Sequence, residues 1–315
     1  MPDRLVERGI GETRSVRIAG GEIVEARILV DGVVPASSIV EARLAQAGKP
    51  AIATASGAEY LLPGGAPGIT EGAACLIEVT REQIAGSEPW KRPLARLALR
   101  GAAPAVAGLP GEALAFPSPV DQLEAAGWSD LLDEARSGIV RFPGGELRVS
   151  PTPAMTLIDV DGHLPAAELA LKAATAAART ILRHGIGGSI GIDFPTVAGK
   201  GPRQAIAEAF DAALPQPFER TTVNGFGFLQ VVRPRRHPSL FELAQERASF
   251  EARALLRQAA MGGPGSKRLV AHPAVAALLE RNPAWLEQLA RQIGGTVSLR
   301  AEPSLAISGA YAEQA

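Results

Sequence analysis

Two aspartates, Asp159 and Asp193, are the residues whose type and spacing best suit chemistry. The apolar pattern predicts strands at Met155–Val160 and Ser189–Phe194, and each aspartate falls near the carboxyl end of one of them. If a helix joins these strands in a right-handed crossover, they run parallel, and open α/β sheets bind ligands at that edge. Two converging carboxylates repel unless they share a proton or bind a cation, and their hard oxygens match Mg²⁺ or Mn²⁺. The pair therefore predicts a divalent-metal site.

A structural interpretation of the same acids stays open. An aspartate at the end of a strand is often a turn residue or a helix N-cap. Asp161 shares a strand face with Asp159 and precedes Gly162, so it is especially typical of a turn. His163 and His184 lack metal-ligand spacing to a second His or Cys, and we interpret them as surface or helix-end residues.

A strand, a helix and a strand must position the two aspartates. Pro165 is typical of a first helical turn, and the run ELALKAATAAARTILRH predicts a helix to about His184. Gly185 can adopt the left-handed conformation that ends a helix, and Gly187 and Gly188 then turn the chain into the second strand. This βαβ pattern indicates the α/β (α+β) fold class.

The other segments predict a chain of several parts. They are a hairpin at Arg14–Leu29, short barrel strands between Val34 and Ala98, a loop-like connector at Leu99–Pro119, a hairpin at Gly138–Ser150, a helix at Gln204–Ala213 and a strand at Phe226–Val232. Helical periodicity returns at Leu240–Gln258 and His272–Ile293, on either side of a strand in KRLVAHP. We therefore predict five parts, with the boundaries 1–33, 34–100, 101–137, 138–245 and 246–315.

Composition narrows the choice of partners. The 315 residues carry 32 basic and 33 acidic side chains, so any nucleic-acid site must be a local basic patch. Aromatic residues make up only 4%, which limits serial stacking of bases. The single cysteine, the charged start MPDRLVERGIGETR and the lack of an apolar run of about 18 residues predict a cytoplasmic protein with no membrane partner.

Three ordered segments resemble the catalytic region of the ribonuclease E/ribonuclease G family. They read GIVRFPGGELRVSPTPAMTLIDVDG, ELALKAATAAARTILRHGIGGSIGIDF and NGFGFLQVVRPRRHPSL, and they cover about Gly138 to Leu240. Family members carry AMT-x-IDVN-x-G, LGG-x-I-x-IDFIDM and RFGLLEMTR-x-R in the same order. Weaker similarity extends to both ends: GETRSVRIAGGEIVEARI resembles the opening strands, SSIVEARLAQA a shortened S1 domain, and KRLVAHPAVAALL the small domain that follows.

The resemblance implies a fold, a metal and a reaction. The implied fold is a mixed-sheet DNase I-like catalytic subdomain with RNase H-like strands, preceded by a reduced S1-like β-barrel and followed by a small α/β domain. Asp159 and Asp193 fall on the two aspartates that hold Mg²⁺, or Mn²⁺ in its place, and Asp161 stands at the family's Asn as a further catalytic candidate. The implied activity is hydrolysis of internal phosphodiesters in single-stranded RNA, which leaves a 5′ phosphate on the downstream product.

The chain departs from the family at several places. Thr196 replaces the second acid of IDFIDM, and Gln230 replaces the Glu of the third motif. Leu61 and Leu62 stand near the family's stacking aromatic, with Tyr60 as the remaining substitute. The segment before the catalytic region is too short for the domain that senses a 5′ monophosphate. The CPxC pair is absent, so we expect no zinc, and any homo-oligomer would lack a zinc link.

A local excess of basic residues follows the second aspartate. Between residues 200 and 236, six basic side chains stand against three acidic ones. We predict RNA contacts from Lys200, Arg203, Arg233, Arg235 and Arg236, with Arg220 as a further candidate. A solvated basic loop is the alternative for any single one of them.

Three functions follow from these observations. The first is a metal-dependent endoribonuclease in which Asp159 and Asp193 hold Mg²⁺ and act on single-stranded RNA. The second is a catalytically lapsed RNA-binding protein of the same family, and the third is a metal phosphodiesterase for small nucleotides.

Overall fold

A computed structural model describes residues 4–85 and 91–315. Its strands are β1 (Arg4–Arg8), β2 (Glu12–Ala19), β3 (Glu22–Val30), β4 (Ile39–Gln46), β5 (Ala51–Ala55), β6 (Ala58–Leu62), β7 (Ala74–Arg81), β8 (Leu94–Leu97), β9 (Glu112–Leu114), β10 (Ile139–Phe142), β11 (Gly145–Pro151), β12 (Thr156–Gly162), β13 (Gly188–Asp193), β14 (Glu219–Arg220), β15 (Phe228–Arg233), β16 (Lys267–Ala271), β17 (Val297–Ala301) and β18 (Tyr311–Gln314). Its helices are α1 (Gln122–Ala125), α2 (Trp128–Ser137), α3 (Ala166–Arg183), α4 (Lys200–Ala213), α5 (Leu240–Gln245), α6 (Arg247–Met261), α7 (Pro273–Glu280) and α8 (Pro283–Ile293). Mixed sheets with packed helices confirm the predicted α+β class. Within the described ranges, no helix combines the length and apolar character needed to cross a bilayer.

The chain forms two compact units. The first unit comprises residues 1–31, 109–131 and 243–315, and the second comprises residues 32–108 and 132–242. The first unit contains the sheets β3-β2-β1-β9 and β17-β16-β18, and the predicted hairpin at Arg14–Leu29 is confirmed as β2 and β3. The sequence placed the first and last segments in separate parts, whereas the structure packs them in one unit. Two features join these segments: Ile10 packs into the apolar core of the last segment, and a cluster of buried ion pairs links β1 and β2 to α6.

This buried ion-pair cluster consists of Glu7, Glu12, Arg14, Arg253 and Arg257. Arg14 donates to Glu7 at 2.6 Å and to Glu12 at 2.7 Å. From α6, Arg253 donates to Glu12 at 2.8 Å and Arg257 donates to Glu7 at 2.9 Å. All five residues are buried. Each carboxylate therefore has two guanidinium partners, which offset the cost of removing its charge from water.

The cluster predicts a loss of stability in acid. Burial raises the pKa of the Glu12 carboxyl, but the charges and hydrogen bonds of Arg14 and Arg253 outweigh burial, so the pKa lies below its ordinary value of 4.5. A carboxyl whose pKa is lowered on folding stabilises the protein above its unfolded-state pKa, and that contribution is lost as the pH falls through the folded-state pKa. As the pH is lowered below about 4.5, we expect the free energy of unfolding to decrease. In Glu12→Gln the decrease should be less steep, because this carboxyl is absent.

Denaturant titrations between pH 3 and pH 7 would measure this dependence at roughly half-unit steps. Glu287→Gln is the matched control, because its side chain is 70% exposed in the same unit. An equal pH slope in wild type and Glu12→Gln would contradict the prediction.

The second unit opens with a closed barrel of strand order β4-β5-β6-β8-β7. Apolar residues alternate along its strands, and the inward set includes Leu44, Tyr60, Leu62, Ile77 and Val79. Three alanines of β5 also point inward, and their small side chains suit a narrow barrel interior. The small β-barrel predicted between Val34 and Ala98 is thus confirmed.

A sheet of order β10-β11-β12-β13-β15-β14 forms the rest of the second unit. Along β12, Thr156, Ile158 and Val160 are buried, whereas Leu157, Asp159 and Asp161 are exposed, as the period of two predicts. The buried face packs against α3 and α4. Five buried alanines of α3 let the helix approach the sheet closely. They are Ala170, Ala173, Ala174, Ala177 and Ala178. The opposite face, the open face, carries the exposed side chains.

The βαβ prediction is confirmed in its local detail. β12 and β13 are parallel, and α3 connects them. Pro165 is the N-cap of α3 rather than a residue of its first turn, and Gly185, with φ +66°, follows the C-cap His184. The hairpin predicted at Gly138–Ser150 is confirmed as β10 and β11.

Several predicted boundaries were wrong. α4 begins at Lys200, before the predicted start at Gln204. Its N-cap is Gly199, whose φ of +89° is a conformation that glycine adopts readily. β15 begins at Phe228, since residues 224–227 form a turn. The helical stretch at 240–258 is two helices, and the stretch at 272–293 breaks at Asn282, where the following proline disfavours helical backbone.

The connector predicted at 101–137 contains two helices. In α2, residues Trp128, Leu131, Leu132 and Ala135 are buried at the i, i+3, i+4, i+7 spacing of an amphipathic helix. The residues before them, 99–120, contain only the short strand β9 and a bridge, as expected of a connector. The edge strands β17 and β18 were missed because they are short, at five and four residues, and none of their residues is fully buried.

Candidate active site on the open face of the sheet

The structure brings together the two aspartates that the sequence singled out. Asp159 on β12 lies directly opposite Asp193 on β13 in the parallel register. Opposite residues on neighbouring strands have backbones about 4.8 Å apart and side chains on the same face. Both residues are exposed, on the open face. The two carboxylates therefore converge at the surface of the sheet.

Their positions along the strands differ from the prediction. Asp193 is the last residue of β13, as expected. β12 continues to Gly162, three residues beyond Asp159, because β11 pairs with it as far as Gly145 opposite Gly162. The carboxylate pair thus lies at the end of one strand and inside its neighbour.

The structural interpretation fails for these two aspartates. Asp159 lies within a strand, and the N-cap of the next helix after Asp193 is Gly199. In the part of the chain that the structure describes, neither carboxylate has a hydrogen-bond or ion-pair partner. Neither charge is therefore used to hold the fold.

Asp161 behaves differently. The turn interpretation is wrong for Asp161, because it lies inside β12 opposite Glu146. Its Oδ1 accepts a hydrogen bond from the backbone N–H of Gly162 at 2.9 Å. It lies two residues along β12 from Asp159, about 7 Å away along the strand. Asp161 is therefore on the same face as the pair but has a backbone role of its own.

The nearest cation across the ladder is already paired. Arg148 on β11 lies opposite Asp159. Its guanidinium donates to Glu146 on the same strand at 2.7 Å. The carboxylate pair is therefore not neutralised by this arginine.

A magnesium ion fits the residues that are present. The carboxylates of Asp159 and Asp193 are hard oxygen donors that are exposed and unpaired within the described ranges. Across residues 4–85 and 91–315, no group of three or more His, Cys, Asp or Glu is placed to hold a metal. Mg²⁺ commonly binds through one or two carboxylates and completes its shell with water and substrate phosphate oxygens. Two aspartates are therefore a sufficient protein contribution for such an ion.

The predicted RNA-contacting residues separate into two groups. Lys200 and Arg203, at the start of α4, line a cavity of about 340 Å³ together with Arg220 and Thr222. Arg233, Arg235 and Arg236 line a second cavity of about 310 Å³. Arg233 pairs with Gly188 at the start of β13, five residues from Asp193, so the second group lies about 17 Å from the carboxylates along the strand. The structure does not bring all five basic residues to one place.

Ion pairs lower the net charge of both groups. Arg220 donates to both carboxylate oxygens of Asp211, at 2.6 and 2.5 Å, and this bonding raises the pKa of Arg220. Arg235 forms an ion pair with Glu242. Within the described residues, Lys200, Arg203 and Arg236 have no carboxylate partner. These three cations are the ones free to neutralise phosphate.

Two aromatic residues beside Asp193 were not recognised in the sequence. Phe228 lies opposite Asp193 in the antiparallel pairing of β13 and β15, and its ring leans over Gly191, where a Cβ would come within 2.5 Å of it. Phe226 stands in the preceding turn with 83% of its surface exposed. An aromatic residue between two glycines after an asparagine, as in NGFG, is the signal that indicates an exposed turn position.

The barrel lacks the predicted substitute for a stacking residue. Tyr60 is only 3% exposed and lies in the barrel core, where burial raises the pKa of its hydroxyl. Leu62 is also buried. Tyr60 therefore cannot present its ring to a base, and the other aromatic residue of this region, Trp90, lies outside the described residues.

The two histidines that the sequence analysis considered, His163 and His184, lie in different surroundings. His163 is exposed after the end of β12. His184 is buried at the end of α3, where its Nε2 contacts Glu134 at 2.8 Å and its ring stacks on Phe241 at 4.4 Å between centroids. Burial lowers the pKa of His184. The helix-end interpretation of His184 is confirmed, but the residue is not on the surface.

Fold and site together define an α/β protein with a pair of acidic residues on the open face of a mixed sheet. No protein-family model matches this chain, and no curated protein is significantly similar to it.

Salt dependence tests the role of the first basic group. We expect Lys200→Gln with Arg203→Gln to weaken binding of single-stranded RNA and to reduce the slope of log K against log salt by about 1.4, since each phosphate contact contributes about 0.7. Filter binding in EDTA between low and moderate salt measures the slope.

Arg100→Gln is the control, because Arg100 is an exposed arginine of the same unit with no carboxylate partner in the described residues. An unchanged slope in the double variant would contradict an RNA contact at Lys200 and Arg203.

Proposed function

We propose that this chain is a metal-dependent endoribonuclease that hydrolyses internal phosphodiesters of single-stranded RNA and leaves 5′-phosphate products. The observation that carries the proposal is the register of Asp159 and Asp193, which places two unpaired carboxylates side by side on an open sheet face. Like charges without a structural partner are costly to hold together, and a bound cation removes that cost.

The basic residues support a polyanionic substrate. Lys200 and Arg203 line a cavity at the start of α4, which follows β13 by six residues. These two cations have no carboxylate partner in the described residues, and they lie close in the chain to Asp193. They could therefore neutralise the phosphates on either side of a phosphodiester bound at the carboxylate pair. The overall charge of −1 makes such a local arrangement necessary for RNA binding.

The reaction assigns a part to each group of residues. Lys200 and Arg203 would bind the phosphates that flank the cleaved bond, and the carboxylates of Asp159 and Asp193 would hold Mg²⁺ or Mn²⁺. When bound, the ion would lower the pKa of the attacking water and neutralise the negative charge that develops on the non-bridging phosphate oxygens. Water attacks phosphorus, the bond to the 3′ oxygen breaks, and that oxygen leaves with a proton as a 3′ hydroxyl. The upstream product ends in this hydroxyl and the downstream product begins with the phosphate.

The family assignment belongs to the same proposal. We propose that the sheet of residues 138–245 is a DNase I-like subdomain of ribonuclease E/ribonuclease G type. In this proposal the barrel is a reduced S1-like domain, the first strands are RNase H-like, and residues 246–315 are the small following domain. The ordered motifs of residues 138–240 support it.

One incubation tests the activity. A 5′-labelled unstructured RNA is mixed with the protein in Mg²⁺, and in EDTA as the control. We expect internal cleavage only with Mg²⁺, with a 5′ phosphate and a 3′ hydroxyl at the new ends. RNA retardation in a gel without cleavage, in either Mg²⁺ or Mn²⁺, would instead indicate the lapsed RNA-binding protein. Preferential hydrolysis of cyclic or dinucleotide competitors would indicate the small-nucleotide phosphodiesterase.

A further inference from the structure

Phe226 is the most exposed large apolar side chain in the described part of the chain. Its exposed fraction is 83%, against 77% for Leu99, the next highest. A phenyl ring in water forgoes the stabilisation that burial supplies, so the exposure needs a reason.

The backbone holds Phe226 in place. Asn224 Oδ1 accepts hydrogen bonds from the N–H groups of Phe226 and Phe228, at 2.9 and 3.0 Å. Thr196 Oγ1 donates to the carbonyl of Phe226 at 3.1 Å. Gly227 has φ +97°, and a Cβ there would lie 2.2 Å from the carbonyl oxygen of Phe194. The ring is therefore presented on a rigid turn, which lowers the entropy lost when a ligand binds.

The surroundings of this turn fit a nucleotide. The Nη1 of Arg203 lies 3.8 Å from the position that a Cβ would take at Gly225. The carbonyl of Gly227 accepts from the N–H of Phe194, the residue after Asp193, at 3.2 Å. A cation for phosphate and an aromatic ring thus adjoin one turn, and Asp193 lies opposite Phe228, which follows that turn.

We propose that Phe226 is a stacking platform for an unpaired nucleobase of the bound RNA, next to the phosphate held by Arg203. The proposal rests on the proposed function for the identity of the ligand. Stacking accepts any base because every base has a π-face, so the platform would give no sequence preference. It would select single-stranded RNA, because only an unstacked base can lie on the ring. The basic side chain of Arg203 beside the turn favours a nucleic acid over an apolar protein partner.

The test uses the full chain and measures binding separately from cleavage. Affinity for an oligouridine is measured in EDTA for wild type, Phe226→Ala, Phe226→Leu and Phe226→Trp. We expect Ala and Leu to weaken binding by about 5- to 150-fold, the loss of one base–aromatic stack, and Trp to retain it. Leu99→Ala is the control, since it removes the next most exposed large apolar side chain, which lies in the same unit.

A second readout detects the stack directly. Tryptophan emission from Phe226→Trp should be quenched by oligouridine, whereas emission from Leu99→Trp should not respond. Wild-type affinity in both Phe226→Ala and Phe226→Leu would overturn the proposal, and so would a change in oligomeric state with RNA affinity unchanged.

The outcomes separate this proposal from the nuclease assignment. RNA binding that depends on Phe226 in a protein that never cleaves RNA would support the platform and reject the nuclease. Mg²⁺-dependent cleavage with no effect of Phe226 would do the reverse. A wild type that does not bind RNA would reject both.

Discussion

Replacing Asp193 by Asn is expected to abolish Mg²⁺-dependent RNA cleavage, with a loss of at least about 10³-fold in rate. A bound metal supplies several kcal/mol of transition-state stabilisation, and each 1.36 kcal/mol corresponds to about tenfold in rate. Asp159→Asn should have the same effect, since the two carboxylates lie opposite each other and would share one ion. The double variant should be little worse than either single variant, because residues that act as a unit are not additive.

RNA affinity should survive these changes. Asparagine is nearly the same size as aspartate, and neither carboxylate has a structural partner in the described residues, so the fold should be kept. Affinity in EDTA should stay equal or rise slightly, because one negative charge is removed near the RNA. Single-turnover cleavage and filter binding on the same preparations measure the two quantities.

Asp133→Asn is the matched control for this experiment. Its side chain is 72% exposed on α2, and the change removes the same charge and replaces the same carboxylate oxygen by an amide nitrogen. Cleavage at the wild-type rate in Asp193→Asn would show that the carboxylate pair is not the centre. A rate lost equally in Asp133→Asn would show a general effect of charge.

The second large effect concerns the buried ion-pair cluster. Arg253→Met should destabilise the protein by about 3–5 kcal/mol, because Glu12 remains buried with one of its two guanidinium partners removed. Equilibrium unfolding in guanidinium chloride measures the change as a shift of the transition of the first unit.

The exposed arginine Arg291 supplies the control for this effect. Its ion pair with Glu287 is 3.9 Å long and both side chains are 70% exposed. Arg291→Met should change stability by less than about 0.5 kcal/mol. If Arg253→Met were no less stable than Arg291→Met, the cluster would not hold the first unit together.

Local patterns predicted the strand and helix that position the two aspartates. The period of two in TLIDVD places Asp159 on the exposed face, and Gly185 ends α3 as its sequence position predicts. These features depend on a few neighbouring residues, because strand alternation and helix capping are short-range effects. The strand, helix and strand that carry the aspartates could therefore be predicted without the structure.

The basic residues show where local reasoning stopped. Counting charge between residues 200 and 236 suggested one patch. In the structure, Asp211 pairs with Arg220 and Glu242 pairs with Arg235, and the remaining cations lie at two ends of the sheet. Charge composition does not tell which basic side chain pairs with which acidic one, because ion pairing depends on the fold. Phe226 was missed because it was assigned to the strand Phe226–Val232, although NGFG indicates an exposed turn position.

By itself, the amino-acid sequence determined the strand faces, the α3 helix and its end, the small barrel and the two aspartates that are suited to a metal. Only the tertiary structure decided that Asp159 lies opposite Asp193, which cations stay unpaired, and that the first and last segments share one unit around buried arginines. The physical reason is the distance along the chain over which each interaction acts. Alternation and capping act between neighbours in the chain, whereas register, ion pairing and burial depend on contacts between residues far apart in the sequence.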